Sequence, residues 1–100
     1  MSERAFLAET KGFTPVIDAL AQEVGFMTAA VYGVAWRFCQ MDDGVCRASW
    51  ERMAEMLGVC RQTIGQHLAK LAECGYLEDT TPGLRNRPHI YRDTGRARTM

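Results

Sequence analysis

One hundred residues, 47% of them apolar and 24% charged, are enough for one hydrophobic core and too few for two, and they exclude a disordered chain. No apolar run approaches the roughly 20 residues of a membrane span. The N-terminal MSERAFLAETKGF, interrupted by Glu3 and Glu9, is no signal peptide, so a cytoplasmic location away from membranes is expected. The formal net charge is zero, but residues 1–59 carry five Lys/Arg against eight Asp/Glu, and residues 60–100 carry seven against four. That asymmetry fits either a polyanionic partner met by the C-terminal half or a charged, solvated tail.

Along the chain, Thr14-Pro15 reads as a helix start, because a hydroxyl residue precedes a proline whose missing N–H is harmless in the first turn. Val16, Ile17, Leu20, Ala21 and Val24 recur at helical spacing, and Gly25 stops the run. Thr28 is the next N-cap candidate. After it, Val31, Val34, Ala35 and Phe38 form an apolar stripe that Tyr32 and Trp36 widen. So apolar a helix is expected to be central, and part of its excess to be a dimer seam. Asp43-Gly44 marks a turn and Val45-Cys46-Arg47 a small strand. Ser49 is then the N-cap of a helix from Trp50 to Leu57 whose buried face is Met53, Ala54 and Leu57. Gly58 ends it in the left-handed conformation, and Val59 folds back into the core. A second helix spans residues 60–74 with Ile64, Leu68, Leu71 and Ala72 inward, and Gly75 closes it. Two short aromatic and branched runs, 76–79 and 89–92, flank a Pro-Gly turn and read as a β-hairpin with a long basic loop. The last residues, DTGRARTM, lack periodicity and are expected to be mobile.

The cysteines, Cys39, Cys46, Cys60 and Cys74, form no C-x-x-C, and neither His67 nor His89 stands at a zinc-finger spacing. No metal and no cofactor are therefore expected, and the cysteines read as buried free thiols. No nucleophile elbow, P-loop, H-E-x-x-H or dinucleotide fingerprint is present, so no catalytic residue is assigned and the chain is not read as an enzyme.

Two short helices joined through Gly-Val, with Ala54 four residues before the turn glycine, make a helix-turn-helix pattern. The stretch SWERMAEMLGVCRQTIGQHLAKLAECGYLE resembles the winged helix-turn-helix DNA-binding domains of bacterial regulators and of phage or plasmid replication proteins. With the flanking helix and wing, the resemblance covers residues 28–92. It implies an α+β, mostly helical fold: a three-helix core, an extra N-terminal helix and a C-terminal β-hairpin wing. Residues 1–13 would be an arm, 14–93 the domain and 94–100 a flexible tail.

The resemblance also implies sequence-specific binding of double-stranded DNA, with the helix 60–74 in the major groove. Its outward face is Arg61, Gln62, Gly65, Gln66 and Ala69. Arg61, Gln62, Thr63 and Gln66 would meet the groove, since arginine can grip guanine and glutamine adenine. Thr63 also suits a phosphate, and Lys70 and Ser49 would sit at phosphates. Arg85, Asn86 and Arg87 would form the tip of the wing on a backbone or minor groove. A homodimer through the N-terminal helices would supply paired half-sites.

Three residues depart from the family pattern. Cys60 stands where serine is usual, a poorer cap whose thiol, at a helix N-terminus beside Arg61, is expected to have a lowered pKa. His67 replaces a small residue and is read as partly buried and hydrogen-bonded, or else as reaching a phosphate. Gly65, inside a helix, is read as permitting close backbone approach to DNA or another chain, or as merely tolerated. The expected role is that of a small transcription regulator. The alternatives are an origin-binding replication protein of a mobile element and a winged-helix protein-interaction module, the last using residues 31–38.

Overall fold

A computed structural model describes residues 13–41, 43–81, 83 and 89–99. Among them are four α-helices and a small three-stranded antiparallel sheet, an α+β arrangement that is mostly helical. The first helix, α1 (Asp18–Val24), starts one turn later than Thr14-Pro15 suggests. Thr14 and Pro15 instead lie across the next helix at Gly33. A methyl group there would overlap the Pro15 carbonyl oxygen and come within 2.9 Å of Thr14 Cγ2. Arg37 Nη1 donates to Thr14 Oγ1 at 3.2 Å, so the residues that would have made the first turn are drawn into a tertiary contact.

The second helix, α2 (Phe26–Met41), begins before Thr28. Thr28 is therefore no cap: it is 1% exposed, and its Oγ1 shares a 2.7 Å hydrogen bond with His67 Nδ1. Most of α2 is buried within the chain, Val31, Tyr32, Val34 and Ala35 among its sequestered residues. The stripe expected to serve as a dimer seam, and the stretch 31–38 as a partner surface, is core. Phe26 and Met41, at the two ends of the helix, are its exposed large apolar residues. Tyr32 places its hydroxyl on Asp93 Oδ1 at 2.9 Å. Burial first, and the Asp93 carboxylate second, push that phenol well above its ordinary pKa.

Asp43 and Gly44, both at positive φ, turn the chain into β1 (Val45–Cys46). Helix α3 (Trp50–Leu57) follows, capped by Ser49, whose Oγ accepts the Arg52 N–H at 3.1 Å. Met53 and Ala54 are buried, and Gly58 ends the helix at φ 69°, ψ 33°, a conformation that carries no penalty without a Cβ. Val59 packs back on the core. Helix α4 (Arg61–Glu73) buries Ile64, Leu68 and Leu71, each a contribution of about 1.5–3 kcal/mol.

Strands β2 (Leu77–Asp79) and β3 (Tyr91–Asp93) pair antiparallel, Glu78 opposite Arg92. Strand β1 pairs with the other edge of β3, Cys46 opposite Tyr91, so the order is β1-β3-β2. The expected hairpin is thus the outer part of a sheet that closes over α2. After β3, Arg96–Thr99 form a 3₁₀ turn. Ala97 is 1% exposed, Thr94 Oγ1 donates to the carbonyls of Gly75 (2.8 Å) and Tyr76 (3.0 Å), and Arg98 pairs with Asp93 at 3.1 Å. Arg96 lies over the Tyr76 ring, 4.9 Å from its centroid. The segment expected to be a mobile tail is docked through residue 99. Among the described residues no helix is long and apolar enough to cross a membrane.

Candidate nucleic-acid interface

The residues singled out in the sequence gather on and around α4, and the structure divides them by what already holds them. Gly65 faces Trp50, the first residue of α3. A Cβ at Gly65 would stand 2.6 Å from Trp50 Cζ3 and 2.8 Å from Cη2, so the close approach this glycine permits is that of an indole of the same chain. Arg61, one turn earlier on the same side of α4, donates through Nη1 to Glu51 Oε1 at 2.7 Å. Both side chains of that pair are about 60% exposed (60% and 59%), which limits its worth to about 0–1 kcal/mol. Trp50 and Glu51 are successive residues, so the first turn of α3 grips the N-terminal half of α4 at two points.

The C-terminal half of α4 is held from the other side. His67 is half-buried and bonded to Thr28 of α2, in line with the partly buried reading of that histidine. Lys70 Nζ donates to the Val24 carbonyl at 3.0 Å, at the end of α1. Lys70, expected at a phosphate, therefore serves as a cation on a helix C-terminus, where the dipole favours it. Ser49 keeps its hydroxyl oxygen on the α3 cap, which leaves its O–H hydrogen as the group a phosphate would find.

Thr63, expected in the groove, shares a 3.2 Å hydrogen bond with Cys60 Sγ. Cys60 makes no side-chain cap and is exposed, unlike buried Cys39 and Cys46, so the reading of all four thiols as buried fails at this position. The Cys60 thiol is held below the ordinary thiol range by hydrogen bonds from the Thr63 hydroxyl and backbone N–H, and Arg61 beside it is engaged with Glu51 instead. Cys39 shows the opposite case, pushed up to about 12 chiefly by burial.

Two residues remain. Gln62 and Gln66 are exposed, and among the described residues their side chains have no partner within the chain; Ala69 beyond them is also exposed. The free edge of α4 is narrower than the five-residue face read from the sequence.

Beside this edge stands the β2–β3 hairpin. Thr80 N–H donates to the Ile90 carbonyl at 2.9 Å, and Ile90 N–H to Thr81 Oγ1 at 3.0 Å, which carries the pairing beyond the strands. Asp79 anchors the base of the loop: Oδ2 lies 2.5 Å from His89 Nδ1, and Oδ1 accepts the Thr81 N–H at 2.9 Å. Burial raises the Asp79 carboxyl, but the Thr81 and His89 hydrogen bonds outweigh it and hold the group below the usual carboxylate range. Arg85, Asn86 and Arg87 lie outside the described residues.

Sequence reasoning missed Trp50, Glu51 and Thr28 as organisers of α4. Trp50 had a visible counterpart, a glycine where a helix prefers any other ordinary residue, but nothing local joins positions 50 and 65. Compared with protein-family models, curated proteins and solved structures, the chain gives no match.

Proposed function

We propose that the chain is a winged helix-turn-helix domain that binds double-stranded DNA in a sequence-specific manner, α4 lying in the major groove and the β2–β3 hairpin serving as the wing. The observation that carries this reading is the α3–Gly58–α4 corner, with the exposed Gln62/Gln66 edge of α4 beside an extended hairpin whose loop sequence is LRNRP. Two short helices meeting at a left-handed glycine, the second presenting polar side chains suited to base edges, have the geometry that groove entry requires. The basic excess of residues 60–100 supplies the attraction to phosphates on which such binding rests. A promoter and a replication origin present the same chemistry, and the reading covers both; in this proposal the domain acts as a small regulator.

Binding to a random-sequence duplex pool across a salt series tests it, with an Arg85→Ala/Arg87→Ala chain alongside. An enriched motif, an affinity that falls steeply with salt and a slope shallower by about two in the double variant are expected, roughly 0.9 for each phosphate contact removed. No enrichment and no salt dependence would overturn the reading in favour of a protein partner.

A further inference from the structure

Resting on the duplex-DNA reading above, we infer that the base-reading edge is the pair Gln62 and Gln66, that the target carries adenine at two neighbouring positions, and that Arg61 contributes affinity rather than sequence choice. The inference follows from what the structure subtracts from the outward face of α4. Gly65 has no side chain and lies under the Trp50 indole. Thr63 is turned to Cys60, and Lys70 to the end of α1. Arg61 leans to the first turn of α3, onto Glu51, next to the cap residue Ser49.

In a helix-turn-helix the helix preceding the groove helix crosses the DNA backbone. A guanidinium drawn to that helix's first turn therefore stands over phosphates, flanking the groove instead of entering it. Glu51 beside it cancels its charge in the free protein, and the exchange of that carboxylate for a phosphate is close to neutral for a pair this exposed.

Gln62 and Gln66 alone on this face are exposed, long, and uncommitted among the described residues. A carboxamide presents a donor and an acceptor side by side, which matches adenine N7 and N6 and no other base edge in the major groove as well. Their separation of four residues is about 6 Å along the helix, which places the two adenines roughly two base pairs apart at about 3.4 Å per step.

The test is selection from a random duplex pool with four chains: the unaltered protein, Gln62→Ala, Gln66→Ala and Arg61→Ala. All three positions are exposed, and thermal melts confirm that each chain is folded. The unaltered protein is expected to enrich two adenines, and each glutamine variant to lose preference at one of them by about ten-fold. Arg61→Ala is expected to weaken selected and scrambled duplexes alike, with a salt slope shallower by about one. A motif unchanged in both glutamine variants, or a guanine lost from the motif only in Arg61→Ala, would overturn the assignment while leaving duplex recognition standing. Absence of any motif for the unaltered protein overturns the duplex reading itself.

Discussion

Gly65 shows how one residue can be flagged by local rules and explained only by distant ones. Helix propensity marks it as a loss of about 0.5–1 kcal/mol relative to alanine, and the sequence offered DNA, another chain or tolerance as the reason. The occupant of the space is Trp50, fifteen positions earlier on a different helix, a relation no periodicity encodes. Gly65→Ala therefore gains propensity but forces overpacking, which typically costs about 1–3 kcal/mol, and a net loss of about 1 kcal/mol is expected. With Trp50→Leu in the same chain the steric term vanishes, and the alanine should stabilise by about 0.5–1 kcal/mol. Denaturant unfolding of the four chains of this cycle measures the difference, and equal effects in both backgrounds would contradict the packing account. Thr28 and Lys70 teach the same lesson. A threonine near a helix start and a lysine on a basic helix have plausible local roles, but His67 and the Val24 carbonyl engage them instead.

At the level of elements, legibility followed the locality of the signal. Helix α3, its Ser49 cap, the Gly58 stop and the buried set of α4 were all readable, because caps, glycines and apolar spacing lie within one or two turns of what they control. The starts of α1 and α2 were not, since Thr14, Pro15 and Thr28 are committed to partners elsewhere in the fold. Gly33 is the pivot of the first error. A side chain there meets the Pro15 backbone, which no rotamer change relieves. Gly33→Ala is expected to destabilise by about 1–3 kcal/mol despite the better helix former. It should also raise amide hydrogen exchange across residues 16 and 17, which lie just before α1. Unchanged exchange there would mean the crossing segment does not depend on that contact.

For the whole molecule, composition pointed correctly to one mostly helical α+β core, and charge asymmetry marked the basic half, but composition is silent on whether a charged terminus docks. The residues after β3 looked mobile because arginines, glycine and threonines show no periodicity. They pack by pairing with Asp93 and Tyr76, not by burying a stripe. A chain ending at Asp93 loses the Thr94 and Arg98 hydrogen bonds and the cover of Ala97. At about 1 kcal/mol for each net hydrogen bond, a loss of about 2 kcal/mol is expected, read as a melting temperature lower by roughly 8 °C or more. An unchanged melting temperature would return the segment to the status of a free tail.

The grip on α4 has its own consequence. This helix is fastened by α3 at Arg61 and Gly65, by α2 at His67 and by the end of α1 at Lys70. Its outer edge is consequently set before any encounter, and no folding step has to accompany contact. Association at that edge is then limited by diffusion and orientation. Changes to its side chains should register as altered residence times, with arrival rates nearly constant.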